Sequence, residues 1–330
     1  MAVGGASIAP PCYSCPTTMP PDSAAADARN PGPEWPTWAV IVCVYGLWLG
    51  TLAWYAVGGG LAAVLVLVVV CAWYMSVQHE LVHGHPTRSA QINRWLGVLP
   101  LAVWYPFDVY RDTHLAHHRD ELLTFPDADP ESNYIEPADF ARSNPLLRGL
   151  LVAQRTALGR FCITPGFAIF NLARSMLRVG YWSKRKRIGT WSQHLALLAA
   201  VLWAVHTGTG MPVWVYLLTG YFALGLACMR SLYEHRPAAR PAHRIVVNEA
   251  GWFWRLLYLN NNYHAVHHAL PSLAWYAIPA AYKAERERFI HETGGFLIPG
   301  YNRFFLRHLM TPVDAPGQAT RDVVHQDAGA

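Results

Sequence analysis

Residues 60–83 read GLAAVLVLVVVCAWYMSVQHELVH. The stretch opens as an apolar run without a charge. It closes on His79 and His83, one helical turn apart, with Glu80 beside the first. Those last five residues have the spacing of a zinc metalloprotease helix, in which two histidines hold the metal and the glutamate is the general base. The apolar run in front of them decides the fold. Residues 35–78 contain no Asp, Glu, Lys, Arg or His, about twice the ~20 residues a helix needs to cross a bilayer. Gly58-Gly59-Gly60 interrupts the run and favours a turn. Two spans are therefore expected, at 36–57 and 60–78, joined by a tight loop.

The same pattern recurs downstream. Residues 190–229 lack Asp, Glu, Lys and Arg, and Thr207-Gly208-Thr209-Gly210-Met211-Pro212 breaks them in two. That predicts spans at 191–207 and 212–233. The composition agrees: of 330 residues 53% are hydrophobic and 14% charged, against about a quarter charged in an average soluble domain. The fold class expected is an all-α membrane protein with four spans in two hairpins and a cytoplasmic helical cap. Lys184-Arg185-Lys186-Arg187, Arg230, Arg236, Arg240 and Arg244 flank the second hairpin, while both hairpin loops lack Lys and Arg. By the positive-inside rule both termini and the central segment face the cytoplasm, as in a bacterial inner membrane. Trp35, Trp38, Trp54, Trp73, Trp191 and Trp214 stand near span ends, where interfacial tryptophans belong.

Around this frame, residues 1–34 read as a disordered leader, 35–310 as the membrane domain and 311–330 as a flexible tail. Cys12 and Cys15 form a lone CxxC with no second pair, a weak metal or redox signal. Residues 95–107 and 144–180 are apolar but too short or too interrupted to cross, and fit interfacial helices, as does 274–292. No feature calls for a nucleic-acid partner.

The histidines carry the chemistry. Of 16, eight fall into three groups: His79 and His83; His114, His117 and His118; His264, His267 and His268. Spacings of three and four put each group on one helical face. His235 lies at the end of the fourth span. All converge on one side of the membrane. Neutral imidazole suits Fe, Zn, Cu and Ni, and one zinc takes about four protein ligands at most, so eight or nine histidines fit two ions. A protease would leave the second and third groups without a role. Its extended motif also fails after His83, where the chain reads Gly84-His85-Pro86. Glu80 then reads as a carboxylate that orients an imidazole. A metal transporter would need ligands inside the spans, whereas these groups sit at span ends.

HELVH (79–83), HLAHH (114–118) and HAVHH (264–268), on spans so placed, resemble the membrane fatty-acid desaturase and hydroxylase superfamily with histidine boxes, over approximately residues 40–290. The resemblance implies two iron ions held by the three boxes and one further histidine near the end of the fourth span. His235, in SLYEHR, matches that position. It thus implies His79, His83, His114, His117, His118, His235, His264, His267 and His268 as iron ligands. It also implies dioxygen chemistry at an unactivated C–H bond, with electrons from an external ferredoxin, rubredoxin or heme protein and a lipid or acyl substrate. The second box, with two intervening residues, matches desaturases and carotenoid-modifying enzymes. HHRDELLTFPDADPES (117–132) and the Glu234-His235 pair are instead similar to alkane hydroxylases. The mixture resembles a bacterial subgroup labelled fatty-acid desaturase, some of whose relatives act on small amino-acid-derived metabolites. A desaturase is the expectation, with a hydroxylase as the alternative. Asp112, Asp120 and Glu234 are candidate carboxylates behind the ligands, and one of Asn260, Asn261 and Asn262 is a candidate to orient one. His85, two residues past a ligand, points to another helical face, and His194, His206, His243, His291, His308 and His325 stand alone.

Overall fold

A computed structural model describes residues 32–126, 128–177 and 183–317. Cys12, Cys15, His325, most of the expected leader and residues 318–330 lie outside the described residues.

The first apolar run folds back on itself. Helix α1 (Trp35–Trp54) ends in a wide turn over Tyr55–Gly59, and α2 (Gly60–Val82) returns alongside it. Gly58 makes the reversal possible at φ 106°, a conformation that only glycine adopts without strain. Val40, Ile41 and Val44 of α1 pack on Val70, Tyr74, Val77 and Leu81 of α2. The outer faces stay apolar and uncovered: Leu61 is 73% exposed, the pattern of a helix whose solvent is lipid. Among the described residues three stretches are long and apolar enough to cross a membrane: Trp35–Val82, Lys184–Thr209 and Val213–Arg230.

The second apolar run also forms a helix pair. Helix α9 (Lys184–Thr209) stops at Gly210, whose φ of 71° gives a left-handed cap, and α10 (Val213–Arg230) follows. Two boundaries differ from those expected. Helix α9 starts at Lys184 because Ser183 caps the Lys186 amide and Lys and Arg are good helix formers, so the basic cluster is its first turn. Helix α2 runs to Val82 instead of stopping at 78, and so carries His79 in its last turn.

Helix α10 packs directly on α2, and a non-helical segment is wedged against both. Of the expected 95–107 helix region only residues 95–97, the end of α3 (Ala90–Gly97), and Phe107, which opens the next helix, are helical. Pro100 and Pro106 deny residues 98–106 a helical ladder, and Val103 sits at φ 74°. The carbonyls set free are bonded by side chains from the apolar helices. Tyr74 donates to Leu99 O at 2.6 Å, Gln78 Nε2 to Gly97 O at 2.8 Å, and Tyr216 to Leu101 O at 2.9 Å. Irregular backbone at this depth survives because protein satisfies it.

The remaining elements form a layer over one end of these helices. Helix α4 (Phe107–His117) leads to an acidic loop. Then come α5 (Pro137–Arg142), α6 (Pro145–Ala153), α7 (Ala157–Cys162) and α8 (Thr164–Leu177). After α10 the chain forms β1 (Val247–Asn248), α11 (Trp252–Leu257) and α12 (His264–Ala269). Residues 274–292 are two short helices, α13 (Ile278–Ala284) and α14 (Arg286–Glu292), split at Glu285, whose φ of −130° is not helical. β2 (Leu297–Ile298) pairs in parallel with β1, and α15 (Tyr301–Arg307) closes the layer. Residues 308–316 run back along it: Ala157 N donates to His308 O at 2.8 Å, Val313 N to Arg155 O at 2.9 Å and Ile135 N to Pro316 O at 2.9 Å.

Helix α7 approaches α10 closely at one glycine. A Cβ on Gly225 would lie 2.2 Å from the Phe161 carbonyl oxygen, a backbone atom that cannot step aside. Gly225→Ala should therefore lower stability by about 1–3 kcal/mol, read as a lower thermal unfolding midpoint in detergent. Gly46→Ala, with no atom within 4 Å of its Cβ, should show no loss.

Candidate metal centre

Each histidine group sits where a helix ends. His79 is in the last turn of α2 and His83 caps it; His114 and His117 are in the last turn of α4, with His118 as its cap. His264, His267 and His268 fill the short α12. His235 follows α10 and makes an isolated antiparallel bridge with Ile245.

These positions bring all nine histidines together in two groups of four with one between. His79, His83, His114 and His267 form one group; His117, His235, His264 and His268 form the other. His118 joins them: its Nε2 lies 3.2 Å from His114 Nε2 and 3.1 Å from His267 Nε2, and its ring stacks on His268 at 4.5 Å. Helical geometry explains the division. Within H-x-x-H-H the first and last histidines, four apart, stay on one face, while the middle one is turned aside. So His264 and His268 enter one group and His267 the other, and likewise His114 and His117 part. Each of these two boxes contributes to both groups.

Proton positions follow from what lies behind the rings. His114 Nδ1 is 3.0 Å from Glu131 Oε1, His117 Nδ1 2.8 Å from Asp129 Oδ1, and His268 Nδ1 2.7 Å from Asp120 Oδ1. His264 Nδ1 lies 3.1 Å from Glu234 Oε1 and 3.0 Å from Asn261 Oδ1. A carboxylate only accepts, so each of these Nδ1 atoms carries hydrogen and the neutral ring presents a bare lone pair at Nε2. Those Nε2 atoms face one another: His83 and His114 at 3.0 Å, His117 and His235 at 3.0 Å, His264 with His235 and with His268 at 3.1 Å. Buried lone pairs aimed at one point repel unless a cation lies among them. The donor set therefore fits a metal ion in each group, and all-imidazole donors suit a borderline transition metal.

Burial also keeps most rings neutral, the state that ligates. Burial first, then His114 and His117, pushes His118 down to about 2. His235, His264, His267 and His268 are held well below the ordinary range, burial again leading. His117 is the exception. Burial works to lower it, but Glu131 and Asp129 together outweigh that and raise it to about 9. A cation in its group must displace that proton, so binding there weakens as pH falls.

The expected carboxylates divide. Asp120 and Glu234 stand behind histidines, whereas Asp112 pairs with Arg111 and Lys186 at 2.7 Å each. Glu80 lies 3.4 Å from His79 Nδ1, and its Oε2 accepts from the Trp275 amide at 3.1 Å. Asn261 is the asparagine at the site: its Nδ2 lies 3.0 Å from His79 Nε2, so its amide bridges the two groups. His85 turns away to Glu34 at 2.7 Å. Asp129 and Glu131 were not singled out from the sequence, although both stand in the acidic stretch 117–132. Asp129→Leu should reduce metal affinity about 10–100-fold in a titration of the metal-free protein with Fe2+ or Co2+, while Asp112→Leu leaves it unchanged.

The chain matches the family described as fatty acid desaturase over residues 57–298, and no curated protein matches it. The match runs from the turn of the first helix pair through all three histidine boxes and His235 to the last strand. With nearly three-quarters of its length covered and the histidines of every box gathered in one buried cluster, the chain belongs to the fatty acid desaturase family.

Proposed function

We propose that the protein is an integral membrane, O2-dependent, di-iron desaturase that introduces a double bond into a fatty acyl or lipid-like chain. The observation that carries the reading is the pair of converging imidazole groups at the end of apolar helices. In this reading α1, α2, α9 and α10 are four spans, the remaining elements form a cytoplasmic cap, and residues 35–310 are one domain of a bacterial inner-membrane protein. His79, His83, His114 and His267 hold one ion, His117, His235, His264 and His268 the other, and His118 serves at the junction.

Two iron ions held by these histidines would supply the oxidising power for O2-dependent removal of hydrogen from an unactivated C–H bond, with electrons from an outside ferredoxin, rubredoxin or heme protein. The chain's own residues position and protect. Glu131, Asp129, Glu234 and Asp120 fix the tautomers of His114, His117, His264 and His268, so no ring must reorient when a cation arrives. A cleft beside the first box is lined by Met75, Gln78, Pro100, Val103, Trp104 and Leu224. It lies between α2, α10 and the irregular segment, and its volume of about 10 Å³ has room for one water but not for an acyl chain. Gln78, next in sequence to His79, spends its amide on Gly97 O and thereby holds the wall of that cleft to the helix bearing the ligands.

A hydroxylase is the second reading. It is favoured by the acidic stretch 117–132, similar to that of alkane hydroxylases, whose Asp120, Asp129 and Glu131 all sit behind imidazoles. Expression in a bacterium of simple lipid profile, with mass spectrometry of lipids and polar metabolites, separates the two. A desaturase gives a product lighter by two hydrogen atoms that disappears in the His117→Ala/His118→Ala variant. A product one oxygen atom heavier assigns hydroxylation, and a product retained in the variant overturns both readings.

A further inference from the structure

We infer that Asp314 is a positioning residue for the metal centre: it neutralises Arg155 and so leaves Asp129, Glu131 and Glu234 to the imidazoles. The inference rests on the two-metal reading above.

Arg155 and Asp314 form an ion pair with side chains 1% and 7% exposed. Arg155 Nε donates to Asp314 Oδ1 at 2.6 Å, and its guanidinium lies over the Tyr134 ring, 4.6 Å from the centroid. The Tyr134 hydroxyl donates to Asp314 Oδ2 at 2.6 Å and accepts from Arg155 Nη2 at 3.0 Å. Cation, phenol and carboxylate thus close a buried triangle in which every polar group has a partner.

The triangle borders the metal centre. A single polar cavity is lined by His117, Asp129, Glu131, Tyr134, Arg155 and His235 among others, and Glu234 also faces it. One buried cation therefore opens onto the same space as three carboxylates that serve imidazoles: Asp129, Glu131, and Glu234, which also pairs with Arg230 at 2.8 Å. Buried charges require a partner, and a guanidinium takes a carboxylate readily because its planar fork matches two oxygens. With Asp314 present the partner is Asp314. Without its charge, the acceptors facing Arg155 are those that set the tautomers of His114, His117 and His264. A carboxylate drawn to Arg155 leaves its Nδ1–H without an acceptor, and the ring is no longer held with its lone pair toward the centre.

Tyr134 couples the two sides mechanically. Its hydroxyl oxygen is 3.2 Å from the His235 carbonyl oxygen. Its backbone ends the loop in which Asp129 Oδ1 accepts from Glu131 N at 2.9 Å, and the next residue, Ile135, donates to Pro316 O at 2.9 Å. The segment carrying Asp314 is thus bonded to the loop that aims two of the carboxylates.

The test compares three purified full-length proteins in detergent: wild type, Asp314→Asn, and the charge-free double variant Arg155→Met/Asp314→Leu. Fe2+ and Co2+ are titrated into the metal-free forms, with metal per chain by elemental analysis and thermal midpoints recorded alongside. The expected result is two ions per wild-type chain, at least a tenfold loss of affinity in Asp314→Asn, and recovery in the double variant. A merely structural brace would give the opposite order, with the double variant worst. Should Asp314→Asn fail to fold, the double variant still decides: wild-type affinity supports the inference and reduced affinity overturns it. Wild-type affinity in a folded Asp314→Asn overturns this inference alone, whereas a wild type that binds no metal overturns the two-metal reading and this inference with it.

Discussion

The structure depends on one constraint: nine imidazoles, six of them buried, share one space, and each must have a settled proton. Imidazole has two nitrogens and, when neutral, one hydrogen. Left undefined, a cluster of this kind would hold a mixture of tautomers with lone pairs and hydrogens facing at random. Carboxylates behind His114, His117, His264 and His268 remove that freedom, drawing a hydrogen to Nδ1 and turning Nε2 toward the interior, bare in the neutral rings and protonated in His117 until a cation displaces the proton. The repulsion this creates is what a cation relieves. Much of the surrounding layer follows from the need to hold those carboxylates in place.

Division into two groups follows from helix geometry. A box of the form H-x-x-H-H cannot aim all three rings at one point, because its last two histidines are adjacent in sequence and so point about 100° apart around the helix. On α12 the divergence places His267 in the group opposite His264 and His268, and on α4 it separates His117 from His114. The first box has only His79 and His83, four apart, and both enter the same group. His235, from a bridge outside any helix, completes the group that the first box does not reach. The protease-like string HELVH thus supplies half of one site. Its glutamate is buried, and one of its oxygens accepts from the Trp275 amide.

Local features were legible in the sequence. Apolar runs without charge marked the helices of both pairs, and glycines at 58 and 210 marked their reversals. Histidine spacing, with the family resemblance, named nine residues that the fold does gather. Long-range features were not legible. The irregular stretch 98–106 has the composition of an interfacial helix; what keeps it irregular is its prolines and the partners that Tyr74 and Tyr216 offer its carbonyls. Asp129 and Glu131 look like any solvated loop acids, because a carboxylate behind a ligand obeys no fixed spacing from it. Asp112, on the same helix as two ligands, looked better placed, yet the rotation of α4 turns it toward Arg111 and Lys186.

Elemental analysis of the purified wild-type protein, with iron supplied during expression, tests the central claim most directly. The account predicts two iron ions per chain, both lost when His117 and His118 are replaced by alanine. One ion per chain, or a single zinc that survives that replacement, would contradict it and return the first box to the reading its five residues suggest in isolation.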